Sequence, residues 1–220
     1  MLRLIKRLVF RLIYKVYLWS SSCSGESFLG SRSIEYPFVI EELRKSSIPE
    51  DSKVLLVGCA GDPLSTILPA LGYETYGLDV KHVAIKYPKF HFIRGDIRKT
   101  EFPDNYFNVV VAVSTIEHVG MLEGDYEGDK KAIREMLRIL KMNGILLMTL
   151  PIASTFRVSS TERVYDIRML NSLLAELNIR YNLLFYKRDE DGYWNRCSSN
   201  ELYTSNISEA VVLVKAVKMR

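Results

Sequence analysis

Cysteine is scarce in this 220-residue chain, and so is histidine, with three of each. Cys23, Cys59 and Cys197 lie far apart, with no CxxC pair and no histidine at ligand spacing. A disulfide framework and a zinc site are therefore both excluded as organising elements, and a reducing, cytoplasmic setting fits best. No internal repeat or low-complexity tract appears, and no long uncharged apolar run of transmembrane length. Acidic residues are missing from the first 25 positions, whereas Arg3, Lys6, Arg7, Arg11 and Lys15 fall there. They account for the whole net charge of +4, and without them the remainder is close to neutral. A nucleic-acid binder would carry a basic body, so no nucleic-acid partner is expected.

The chain is long enough to bury roughly 70% of the surface its unfolded form exposes, in one domain plus a short addition. Residues 1–20 read as a basic amphipathic helix. Leu4, Leu8, Leu12 and Val16 form one apolar row and Ile5, Val9 and Ile13 the next, beside a stripe of Arg3, Arg7, Arg11 and Lys15. Tyr14, Tyr17 and Trp19 complete the pattern of a helix lying in a membrane interface. A helix packed on the domain or on a second copy, a transit peptide and a signal anchor are the competing readings. Residues 21–50 read as a linker and lead-in, rich in Ser and Gly up to Ser33, and residues 51–220 as the catalytic body.

Within the body, short apolar runs alternate with helical stretches. Strands are expected at Val54–Val57, Tyr73–Leu78, Phe90–Ile93, Asn108–Val113 and Ile145–Leu150, the last entered by an Asn143-Gly144 turn. Helices are expected at Pro63–Leu71, opened by Asp62, and at Asp129–Leu140. After Pro151 come a helix at Ile167–Leu177 and strands at Arg180–Tyr186 and Ala210–Val217. The alternation predicts an α/β fold with a mostly parallel sheet and right-handed crossovers.

Gly58-Cys59-Ala60-Gly61 joins the first strand to the first helix, where glycines let backbone approach a ligand closely. Asp79 ends the second strand at about the 20-residue offset where a carboxylate holds ribose hydroxyls, and Asp96 ends the third. Each is also an ordinary cap or turn residue, but three such features in order at strand ends argue for a nucleotide-like ligand. A GxGxxG dinucleotide fingerprint would place its third glycine at Pro63, which speaks against a nicotinamide-dependent oxidoreductase. That oxidoreductase, and a binding protein that has kept the fold without catalysis, are the alternatives.

From Val54 to Pro151 the chain resembles the class I S-adenosylmethionine (SAM)-dependent methyltransferases of the small-molecule, type 11-like kind. The resemblance rests on Val54 to Gly61, Tyr76-Gly77-Leu78-Asp79, Gly95-Asp96-Ile97, Ile116-Glu117-His118-Val119 and Leu140 to Gly144. It departs from that family at Leu56 and Asn108, where an acid is usual, and at Ala60, where glycine is. The resemblance implies a Rossmann-like three-layer sandwich with strand order 3-2-1-4-5-7-6, the last strand antiparallel. It implies SAM as cofactor, lined by Gly58, Cys59, Ala60, Gly61, Asp79, Val80, Asp96, Ile97, Ser114, Thr115 and Glu117. In it Asp79 would meet the ribose and Asp96 the adenine amino group, while Leu56 leaves the methionine end without its usual acid. Glu35-Tyr36-Pro37 is a candidate for closing that end.

Methyl transfer is an in-line displacement in which the protein aligns donor and acceptor. For an oxygen acceptor His118 is the candidate base, weighed against a plain hydrogen bond to its own loop, with Tyr165 and Asp166 as weaker candidates. The expected acceptor is a small molecule, a glycan or a lipid-linked group, and the basic helix favours one at a membrane surface. Asp191 to Arg196 is a candidate lid.

Overall fold

The computed structural model describes residues 30–175, 177, 179–204 and 209–219. The expected helix at 1–20, and Cys23, lie outside them. The described chain opens on α1 (Arg32–Lys45), followed by β1 (Lys53–Val57), α2 (Leu64–Ala70), β2 (Glu74–Asp79), β3 (Phe90–Arg94) and β4 (Phe107–Val113). A 3₁₀ turn at Ile116–His118 leads to α3 (Gly128–Ile139) and β5 (Leu140–Pro151). A small ribbon of β6 (Arg157–Val158) and β7 (Arg163–Val164) precedes α4 (Ile167–Ala175). The chain then runs through β8 (Ile179–Arg188), β9 (Trp194–Cys197), α5 (Glu201–Thr204) and β10 (Ala210–Lys218).

The main sheet runs β3-β2-β1-β4-β5-β10-β8-β9. Pairs from β3 to β5 are parallel, and β10 is antiparallel to both β5 and β8. Seven strands thus follow the expected order, with β10 as the reversed one. The eighth, β9, is an addition: Trp194–Cys197 pairs antiparallel with Phe185–Arg188 at the sheet edge. The candidate lid at Asp191–Arg196 is therefore part of the turn of this edge hairpin and the first three residues of β9.

The central strands are apolar on both faces because both are covered. On β1, Leu55 and Val57 enter one core cluster with Ile133, Met136 and Leu146, while Val54 and Leu56 enter the other with Val39, Leu43 and Leu68. Leu56 is fully buried, so an apolar residue suits that place. On β4, an irregularity between Phe107 and Val109 turns Phe107 to the same side as Val110 and Ala112.

Within the lead-in, Arg32–Lys45 is helical and its Val39, Ile40 and Leu43 pack into the core. One expectation is corrected. The strand after α3 starts at Leu140 rather than Ile145. Asn143 adopts φ +61° within a continuous β5, and Gly144 is required because a Cβ there would lie 2.7 Å from the Lys141 carbonyl.

Candidate functional site

The sheet order reverses between β1 and β4, and the carboxyl ends of these strands form the crevice where open α/β sheets take ligands. Gly58 leaves β1 at φ +72°, and its N–H donates to the Leu78 carbonyl at 2.9 Å. A Cβ on Gly58 would stand 2.5 Å from the Thr115 hydroxyl oxygen, so only glycine lets the loops after β1 and β4 touch. Gly61 is at φ +79° and faces open space, with nothing within 4 Å of where a Cβ would point. The backbone here is bare and accessible.

Asp79 ties the next loop to this one. Its Oδ2 accepts the Ala60 N–H at 2.9 Å, and its Oδ1 accepts the Lys81 N–H at 2.8 Å. A carboxylate has about four lone-pair sites, so about two remain for a diol. Val80 beside it is exposed. Cys59 is buried against Gly77, and burial together with the Asp79 charge pushes its thiol up to about 12, which makes it a packing residue rather than a nucleophile.

Asp96 is differently placed. Its Oδ1 accepts the Arg98 N–H at 2.8 Å and its Oδ2 accepts Arg98 Nε at 2.9 Å. Burial opposes its charge, but the Arg98 hydrogen bonds outweigh that and hold the carboxyl below its ordinary value. Arg98 also reaches Asp125 at 3.1 Å. The expected contact from Asp96 to an adenine amino group therefore has to share a carboxylate already paired with Arg98. Ile97, between them, is buried in the core.

The far end of the crevice is built around Glu35 of α1, which is fully buried. Its Oε1 accepts the hydroxyls of Ser114 and Thr149, each at 2.6 Å. Its Oε2 accepts Arg32 at 2.8 Å and the Ser31 hydroxyl at 3.1 Å. Ser114 sits at φ +37°, held there by its N–H donating to Thr149 at 2.9 Å. Thr115 donates its hydroxyl to the Val113 carbonyl at 2.9 Å. Asp62 receives the Leu64 N–H at 2.8 Å at the start of α2, and burial pushes its carboxyl up to about 6. Of this cluster the sequence offers Glu35 as a candidate, and Arg32 and Thr149 join it only in the fold. Thr149 was signalled as the one polar residue in the apolar run Ile145 to Leu150.

Beyond Thr115, the 3₁₀ turn buries Glu117 to 2% exposure, with its Oε2 lacking any hydrogen-bond partner. Burial, reinforced by the Glu35 charge, pushes its carboxyl up to about 8. His118 is half exposed. Its ring Nδ1 lies 2.8 Å from the Thr161 carbonyl, an acceptor, so Nδ1 carries the proton there and the neutral ring presents Nε2 as a lone pair. Tyr165 is buried and donates its hydroxyl to Asp129 at 2.9 Å, and Asp166 accepts the Met169 N–H at 2.7 Å as the cap of α4. Both hold structure and leave the base role. Asn108, at the opposite end of β4, accepts the Lys53 N–H at 3.2 Å and Lys141 Nζ at 3.0 Å, far from the crevice.

The family described as "Methyltransferase domain" matches residues 55–148, which hold every element of the crevice except α1 and the end of β5. Among curated proteins the chain is similar to a sterol 24-C-methyltransferase of Gibberella zeae, 30% identical over 147 residues. One of Aspergillus fumigatus is 32% identical over the same length. Each alignment covers 59% of this chain and 36% of the relative, so the match spans about a third of those proteins. Among solved structures, a SAM-dependent methyltransferase of Methanosarcina mazei superposes with a TM-score of 0.56 at 16% identity, covering 80% of this chain and 97% of that one. The cyclase SpnF superposes with a TM-score of 0.60 at 18% identity, covering 86% and 82%. At such identities the structural likeness establishes the fold. Residues 55–148 are thus similar to a methyltransferase domain, and the described residues share the fold of class I SAM-dependent methyltransferases.

Proposed function

We propose that the chain transfers a methyl group from SAM to a small-molecule acceptor, and the carrying observation is the bare Gly58–Gly61 loop closed on Thr115 and bridged to Asp79. SAM, when bound, supplies a methyl group on a positively charged sulfur. Open space in front of Gly61 admits the ligand against backbone. Asp79 offers its remaining lone pairs to the ribose hydroxyls, and its bonds to Ala60 and Lys81 hold it in place beforehand. Ala60 keeps the loop close. Glu35 fixes Ser114 and Thr149, and so the wall beside the methionine end, through α1.

For an oxygen acceptor, His118 takes the hydroxyl proton at Nε2, since Nδ1–H is committed to Thr161. The names of the curated relatives favour a second acceptor class, a carbon centre on a sterol-like lipid. Residues 1–20, with five basic side chains beside apolar rows, suit recruitment to an anionic membrane surface where such acceptors reside. Incubation of the full chain with methyl-labelled SAM and panels of hydroxylated small molecules, lipid-linked glycans and sterols tests the reading. Label on oxygen supports the His118 route, and label on carbon supports the second class. No transfer to any panel, with SAM bound, would reduce the chain to a binding protein.

A further inference from the structure

The methionine end of the crevice holds more carboxyl than cation. Glu35 pairs with the guanidinium of Arg32, and Asp62 and Glu117 feel the same positive charge. Arg32 gives its hydrogen bond to Glu35, whose two oxygens accept four donors in all. Asp62 has the Leu64 N–H. Among the described residues, Glu117 has the one buried carboxylate oxygen without a donor, in a side chain 2% exposed.

The groups facing Glu117 do not supply the missing partner. On its own turn, His118 Nε2 stands 3.9 Å from Oε1, beyond hydrogen-bond reach. From α1 come the Glu35 charge, which repels, and the committed Arg32. From the β6–β7 ribbon come Glu162, which repels, and Arg163, which spends its NH1 on the backbone carbonyls of Glu117 and Val119. Tyr165 gives its hydroxyl to Asp129. A buried acid in this setting stays neutral until a cation arrives. β1 offers no alternative acid, because Leu56 is buried in the core.

We propose that Glu117 reads the positive charge of the methyl donor, giving up its carboxyl proton to solvent as SAM enters and recovering one when the charge has left with the methyl group. The inference rests on the assignment of the crevice to SAM. The sulfonium form is cationic at sulfur and its demethylated product, S-adenosylhomocysteine, is a neutral thioether. An ionised Glu117 therefore favours the donor over the product, and by linkage the donor's affinity depends on pH.

Calorimetry on the full chain, at pH 7 in buffers of different ionisation enthalpy, counts the protons. With a carboxyl titrating at about 8, SAM should release about nine-tenths of a proton and S-adenosylhomocysteine close to none. SAM affinity should rise about twentyfold from pH 6 to 7.5, a window below the titration of most of the cofactor's own amine, while that of the product stays flat. In Glu117→Gln the proton release should vanish while SAM still binds. SAM binding by the wild-type chain without buffer dependence, or unchanged release in Glu117→Gln, overturns the role of Glu117 and leaves the SAM site standing. Failure to bind either compound overturns the SAM assignment and the inference with it.

Discussion

Glu117 makes a direct test of the folded structure with no ligand added. Replacing it by Gln keeps the shape and removes the titration. The carboxyl has an ordinary value of 4.5 and is pushed up to about 8 by burial and by Glu35. Below pH 4.5 it is protonated in folded and unfolded chains alike, and its contribution to stability is fully present. As pH rises the unfolded chain ionises first, and stability falls by about 1.4 kcal/mol per pH unit until the folded carboxyl also ionises near pH 8. Over that window the loss amounts to at most about 5 kcal/mol. For a chain of this size that corresponds to a difference in melting temperature on the order of 10–20 °C. Urea unfolding of both proteins at pH 5, 6.5 and 8.5 reads it. Asp62, raised in the same direction, is present in both and cancels in the difference. Glu117→Gln should be close to wild type at pH 5 and clearly more stable at pH 8.5. A stability difference that does not change with pH would refute the buried, unpartnered carboxyl.

Three other perturbations probe the remaining parts. Gly58→Ala must place a Cβ 2.5 Å from the Thr115 oxygen at φ +72°, so it should cost about 2–4 kcal/mol in thermal unfolding and weaken SAM binding in calorimetry. Glu35→Ala leaves Ser114, Thr149 and Arg32 without their common acceptor, and about 3 kcal/mol of stability should be lost. The full chain should sediment with anionic vesicles, whereas a chain lacking residues 1–21 should stay in the supernatant. Equal partitioning would remove the membrane role of that segment.

How legible the molecule was in its sequence follows from where each signal resides. β1, β4 and the second half of β5 are buried on both faces, so apolar runs ending in Gly58, Ser114 and Pro151 marked them, while β2, only half-buried at Glu74, Tyr76 and Asp79, carries a weaker run that ends at Asp79. The conformation of the Gly58–Gly61 loop was legible because its demands are local: two glycines, a close strand and an acid. α1 was hidden for the opposite reason. Tyr36, Val39, Ile40 and Leu43 do recur at helical spacing, but Pro37 and a run of charges from Glu41 to Lys45 interrupt the pattern after a serine-rich stretch. β9 is short and half-buried, with little apolar signal to carry it. The Glu35 cluster joins residues 79 and 114 positions apart, and no local rule pairs them. The Asp96–Arg98 pair, in contrast, was two residues wide and open to notice.

We propose that SAM lies in the crevice between β1 and β4 with its ribose held by Asp79. Titration of the full chain with SAM and with NAD, repeated on Asp79→Ala, tests it most directly. Heat is expected with SAM and none with NAD, and Asp79→Ala should lose SAM affinity at least tenfold, corresponding to about 1.4 kcal/mol or more for the lost hydroxyl contacts. Binding of NAD in place of SAM, or unchanged SAM affinity in Asp79→Ala, would contradict it.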